Sequence, residues 1–182
     1  MAQWPEKKRE ATMNRFVLGV FASIGLLASA GAANAANAAN AANAANAESE
    51  LMTPVHQFLD SFDKGDQAGA AAAFVATSIT IIDEVGPHIW VGPTALGDWA
   101  KDLGADDQAA GVSDQKVTLG DPTREIISGD KGYLVVSVVY TYKQKGAVMR
   151  EPAQMTYALT KAAGGWLISG WTWVGTTPVA AP

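Results

Sequence analysis

The sequence predicts an α+β domain in which helices come first and a curved antiparallel sheet follows. Three observations carry this. Val55, Phe58, Leu59 and Phe62 recur at helical spacing. From Ser78 the period changes to two, so that alternate residues share a face. Beyond Gln115, long runs rich in valine, threonine and aromatics are broken by short glycine-bearing turns.

The elements follow in order. Ser49 or Thr53 can cap the first helix, Gly65 ends it, and Asp66 can cap a second, alanine-rich helix over 67–75 anchored by Phe74. In the next segment Ile79, Ile81, Asp83 and Val85 lie on one face, and Ser78, Thr80, Ile82 and Glu84 on the other. Gly86-Pro87 signals a turn, after which 88–92 reads as a strand. Pro93-Thr94 opens a third helix with Ala95, Leu96, Trp99 and Leu103 as its stripe, and 104–113 reads as a loop. The remainder reads as strands over 115–127, 132–143, 148–161 and 166–174, with turns at Gly129-Asp130, Lys145-Gly146 and Gly164-Gly165. Residues 176–182 read as a flexible tail.

The 182 residues carry 13 basic and 18 acidic side chains, 48 % hydrophobic residues and no cysteine. Disulfide scaffolds, thiolate metal sites and thiol nucleophiles are excluded. Two histidines, His56 and His88, do not make an imidazole-rich centre. No metal and no cofactor are expected.

Lys7, Lys8, Arg9 and Arg15 precede an apolar run over 16–30 that ends Ala28-Ser29-Ala30. This is the pattern of a secretory signal peptide over 1–30. The run is shorter than the roughly 20 residues of a membrane-spanning helix, and a retained anchor is the alternative. Residues 31–50 form a linker in which Asn34, Asn37, Asn40, Asn43 and Asn46 are separated by alanine pairs. An exported domain over 51–175, periplasmic or secreted, is the expectation. Without Lys7, Lys8, Arg9, Arg15, Glu6 and Glu10, 9 basic and 16 acidic residues remain, a net charge of -7. Such a surface repels nucleic acid and anionic lipid, so neither nucleic acid nor, after cleavage, a membrane is an expected partner.

Four short motifs occur in a telling order: Phe62-Asp63-Lys64-Gly65-Asp66, Asp83-Glu84-Val85-Gly86, Gly92-Pro93-Thr94-Ala95-Leu96 and Gly165-Trp166-Leu167-Ile168. Together they resemble the nuclear transport factor 2-like superfamily, which includes ketosteroid isomerases and SnoaL-like cyclases. The resemblance spans 51–174 and implies a cone-shaped, cystatin-like curved sheet with three helices in the N-terminal half. It also implies a homodimer formed through the open sheet face, here with some of Tyr140, Tyr142, Trp171 and Trp173 buried between subunits. Function is not implied, because this fold hosts enzymes, binding modules and assembly domains.

Asp83 is the candidate general base. It shares a face with isoleucines, where desolvation favours the neutral acid. If Gly86-Pro87 is a two-residue turn, Trp90 lies opposite Asp83 and His88 is its diagonal neighbour. The resemblance supports Asp83, whose position matches the isomerases' proton-shuttling aspartate. Their oxyanion hole has no counterpart: the tyrosine position is Phe58, and Met155, Thr156 and Tyr157 supply no second acid. Tyr140 or Tyr157 could donate to an oxyanion if turned inward.

Phe58, Phe62, Trp90, Trp99, Tyr140, Tyr157 and Trp171 are the expected lining of an apolar pocket. Trp171 and Trp173 share a strand face with Leu167, and Trp166 shares the other with Ile168. Arg150 reads as a surface ion pair with Glu125 or Glu151. Two functions remain open. One is an exported module that binds a small hydrophobic molecule without catalysis. The other is a small isomerase or cyclase-like enzyme that uses Asp83 to move a proton on a carbonyl compound.

Overall fold

The computed structural model describes residues 49–181. The signal segment and all of the linker except Ser49 and Glu50 lie outside the described residues. Among those described, no helix is long and apolar enough to cross a membrane.

The order of elements is α1 (Met52–Asp63), α2 (Gln67–Ala72), β1 (Ile79–Ile82), β2 (Ile89–Gly92), α3 (Ala95–Ala110), β3 (Val112–Ser128), β4 (Lys131–Gln144), β5 (Ala147–Ala162), β6 (Gly165–Gly175) and β7 (Val179–Ala180). The strands form one sheet in the order β2-β1-β6-β5-β4-β3, with β7 added to β5. Every pairing is antiparallel except β1 with β6, which is parallel. Three helices in the N-terminal half and a curved sheet make this the expected α+β class.

Local sequence explains most boundaries. α1 buries Met52, Val55, Phe58 and Leu59 along one stripe, and Gly65 leaves it with φ +69°. The Asp66 carboxylate caps α2 by accepting from the Gly69 amide at 2.9 Å. The β4–β5 turn places Lys145 and Gly146 at φ 51° and 88°. Two consecutive positive φ values match the right-handed twist of the flanking strands.

The structure differs from expectation at five places. α2 stops at Ala72, and Val75 instead donates to the Ile168 carbonyl at 3.0 Å. α3 runs on through Gly104 to Ala110. Trp99, Leu103, Asp107 and Ala110 continue one helical face, and Gly111 at φ 69° provides the stop. The last hairpin turns one residue earlier, pairing Ala162 with Gly165. The supposed flexible tail contains β7, whose Val179 and Ala180 pair with Arg150 and Met149.

The fifth difference concerns β6. Its register against β5 shifts at Ala158/Leu159: Leu159 pairs Ile168, and Ala158 pairs Gly170. Ser169 is therefore an extra residue, a bulge that resets the alternation. Trp166 and Ile168 are buried before it, and Trp171 is buried after it. The parity that would have put Trp166 and Trp171 on opposite faces does not survive this insertion.

The core lies between α1 and the inner sheet face. Register sets Leu134 beside Tyr157, Val136 beside Met155 and Val138 beside Ala153, and all six are buried. Phe58 packs edge-on against Phe74 with centroids 5.0 Å apart. Truncating such a buried ring costs about 3–5 kcal/mol.

Candidate functional site

Where α1, α3 and the inner face of the sheet diverge, a cavity of about 280 Å³ remains. Its inner wall is aromatic: Phe58, Phe62, Trp99 and Trp171, with Leu103 and Met155. Trp99 stands edge-on to Trp171 at 5.0 Å and tilted against Phe62 at 5.4 Å. The outer part holds Tyr140, Tyr142 and Trp173 together with Asp83, Glu84, Asp106, Asp107 and Glu151. Among the described residues lining it there is no lysine, arginine or histidine.

Asp83 lies in this wall, one residue beyond β1, and is half-buried. Its Oδ2 accepts from Trp99 Nε1 at 2.7 Å and its Oδ1 from the Glu84 amide at 2.6 Å. The indole beside it is therefore Trp99, not Trp90. The reason is register. The hairpin turn occupies 84–87, with the Asp83 amide donating to the His88 carbonyl at 3.1 Å. Trp90 consequently faces Ile81. It is buried in the core, with its Nε1 donating to Asp102 Oδ2 at 2.9 Å, and it does not line the cavity.

His88 is exposed at φ 78° and also lies outside the lining, so the structure does not bring it to Asp83's carboxylate as an acid–base partner. Tyr157 is fully buried, its hydroxyl 3.0 Å from Met155 Sδ, and it belongs to the core. Of the seven expected lining residues, Phe58, Phe62, Trp99, Tyr140 and Trp171 surround the cavity. Tyr142 and Trp171, expected to be candidates for a subunit interface, are buried within their own chain.

Glu151 is the residue that sequence reasoning missed. It is 1 % exposed, and no ion pair to Arg150 forms among the described residues. Arg150 is exposed on the opposite face of β5. Parity was the available signal: Glu151 alternates with Ala153, Met155, Tyr157 and Leu159, all buried. Register sets it beside Tyr140, and its Oε1 accepts from Trp173 Nε1 at 3.2 Å. Glu84 reaches the same place from the β1–β2 turn. A Cβ built on Gly175 would meet Glu151 Oε1, Trp173 Nε1 at 2.8 Å and Glu84 Oε2 at 2.9 Å. The bare glycine leaves room for both carboxylates.

The electrostatics follow from this crowding. Burial raises the Glu151 pKa above the usual glutamate value, and Asp83 adds repulsion, while the Trp173 indole and a Thr176 backbone bond oppose the shift. Glu84 is raised by burial and by the charges of Glu151 and Asp83. Tyr140 is pushed well up by burial and by Asp107, Tyr142, Glu151 and Asp83, so it remains a protonated donor. Among the described residues two indole N–H groups, those of Trp166 and Trp171, have no hydrogen-bond partner, and both are sealed within the packed interior.

A second, wider depression of about 780 Å³ lies between the α1–α2 link and the start of α3. Two of its carboxylates are already engaged, Asp66 as the α2 cap and Asp98 by the Thr94 hydroxyl at 2.8 Å. The smaller cavity, with its aromatic wall and carboxylates without a cationic partner among the residues lining it, is the better candidate site.

This arrangement of three helices against a curved sheet is the nuclear transport factor 2-like fold. Solved structures agree. A hexachlorocyclohexane dehydrochlorinase of Novosphingobium barchaimii superposes with TM-score 0.61 at 15 % identity, covering 81 % of this chain and 94 % of that one. A nuclear transport factor 2-like superfamily protein of Salmonella enterica gives 0.57 at 16 % identity over 70 % and 89 %. A ketosteroid isomerase-like protein of Erwinia carotovora gives 0.53 at 17 % identity over 70 % and 95 %. No protein-family model and no curated protein matches the sequence. At these identities the likeness speaks for the fold.

Proposed function

We propose that this domain, exported by its basic-then-apolar N-terminal segment, binds a small and largely apolar organic molecule inside the cavity. The observation that carries this is an aromatic wall (Phe58, Phe62, Trp99, Trp171) around a half-open cavity of about 280 Å³. Small-molecule sites in proteins begin at about this size and are mostly apolar with a few placed polar groups.

The neutral fluorophore N-phenyl-1-naphthylamine tests it. Saturable emission enhancement is expected, and Ala110→Phe should abolish it, since Ala110 is a half-buried lining residue where a ring would fill the space. Linear, non-saturating emission, or saturation unchanged by Ala110→Phe, would refute occupancy of this cavity.

A second reading is favoured by Asp83 and Tyr140 lining one space. A carbon acid held there would pass its proton to the carboxylate while the Tyr140 hydroxyl donates to the oxyanion that develops. Asp83's carboxylate oxygens are already engaged by two hydrogen bonds, from Trp99 Nε1 and the Glu84 amide. Binding without turnover is therefore the primary reading.

A further inference from the structure

We propose that Phe62 fixes how long a ligand the cavity admits. Its ring closes the cavity toward the wider depression, and its removal would join the two spaces into one site for a longer, unbranched apolar molecule. This deepens the binding reading above and rests on it.

Three rings stand between the two spaces. Phe58, Phe62 and Trp99 line both the cavity of about 280 Å³ and the depression of about 780 Å³, and no other described residue lines both. Their centroids form a triangle, with Phe58 6.2 Å from Phe62, Phe62 5.4 Å from Trp99, and Phe58 6.3 Å from Trp99. Aromatic rings at such separations touch one another. The partition is therefore a single layer of side chains.

Of the three, Phe62 is the ring the fold can spare. Phe58 is 1 % exposed and also packs against Phe74 at 5.0 Å and Trp171 at 6.2 Å, so its loss would empty the core. Trp99 is held by its hydrogen bond to Asp83 and by its edge-on contact with Trp171. Phe62 is half-buried, and its ring contacts are those with the other two members of the partition. It sits in the last turn of α1, just before Gly65 turns the chain.

The space beyond suits an apolar chain. Ala70, Pro93, Leu96 and Ala100 line it, and its two aspartates already accept from the Gly69 amide and the Thr94 hydroxyl. At Gly97, which lines the depression and not the cavity, an added Cβ would meet nothing within 4 Å. Each methylene that an apolar chain buries strengthens binding about fourfold. A chain that ends against Phe62 stops gaining.

The test displaces N-phenyl-1-naphthylamine from the full chain with straight-chain primary alcohols from butanol to dodecanol. In the parent the gain of about fourfold per methylene should stop at one chain length, beyond which longer alcohols compete no better. Phe62→Ala, checked by circular dichroism, should carry the gain to longer alcohols, and the milder Phe62→Leu should carry it part of the way. Gly97→Trp fills the depression alone. Added to either Phe62 variant it should restore the parental cut-off, and in the parent it should change nothing. A gain that runs unbroken to dodecanol in the parent overturns the proposal, as does a cut-off that both Phe62 variants leave in place. An extension that Gly97→Trp does not reverse means that the alcohol occupies only the space the ring leaves, and overturns the joined site. A parental cut-off shortened by Gly97→Trp means that Phe62 does not close the cavity. If the naphthylamine itself fails to saturate, the cavity reading fails and takes this inference with it.

Discussion

Asp83 offers the sharpest measurement, because its structural and chemical roles separate by substitution. Asp83→Ala removes the acceptor for Trp99 Nε1 at 2.7 Å and for the Glu84 amide at 2.6 Å. Trp99 is 5 % exposed, so its N–H is stranded at a cost of about 1–3 kcal/mol. The Glu84 amide lies in the exposed turn and regains water, so that bond adds about 1 kcal/mol. The expected loss is about 2–4 kcal/mol. In a domain of this size each kcal/mol lowers Tm by roughly 3–5 °C, so Tm should fall by about 6–20 °C. Asp83→Asn keeps one oxygen acceptor and should cost about 1 kcal/mol. Urea unfolding followed by tryptophan fluorescence reads both variants. Asp102→Ala is the internal comparison, since Asp102 accepts from buried Trp90 at 2.9 Å in the same way. If Asp83→Ala unfolds within about 0.5 kcal/mol of the parent, the tie between α3 and the β1–β2 hairpin is not what holds them.

Two more outcomes follow from the geometry. Glu84 and Glu151 hold protons to higher pH in the folded state than the unfolded glutamate value of 4.5, chiefly through burial. Across the window above that value the native state binds more protons, so stability falls as pH rises through it. Asp63 and Asp107 act in the same direction. Thermal scans should therefore give a higher Tm near pH 5 than near pH 8, and Glu151→Gln should narrow the gap by raising the pH 8 value; a gap that Glu151→Gln leaves unchanged would refute the assignment. Gly170→Ala would place a Cβ 2.7 Å from the Thr80 carbonyl oxygen, and because that neighbour is backbone the β1–β6 pairing must part at a cost of about 2 kcal/mol or more. Unchanged amide exchange at Ile81 and Ile82 in that variant would show that the parallel pair tolerates it.

The parts legible in the sequence are those governed by one uninterrupted period or one turn. The stripe from Val55 to Phe62 yields α1 directly, and two-residue glycine turns yield the long meander. The alternation from Ile79 also carries Asp83 into the cavity wall. Where a second local effect competes, the pattern misleads. The four-residue turn over 84–87 slides Trp90 away from Asp83, although every residue keeps its face. Gly104 and a run of aspartates hide the continuation of α3, whose lining side is visible when Leu103, Asp107 and Ala110 are placed on one helix face. Glu151 was hidden by chemistry: a glutamate next to Arg150 invites an ion pair at the surface, while its parity assigns it to the interior.

The bulge at Ser169 bears on how such a domain can change over generations. Trp171 and Trp173 reach the cavity because one extra residue stands between them and Ile168. A substitution along β6 alters one side chain at a time. Deletion of a single codon there would invert the strand beyond it, turning two indoles from the interior to the surrounding water. A chain shorter by one residue would then have an emptied interior and an adhesive exterior. Insertions and deletions in β6, rather than point changes, are thus the steps by which relatives of this domain would gain or lose a chamber.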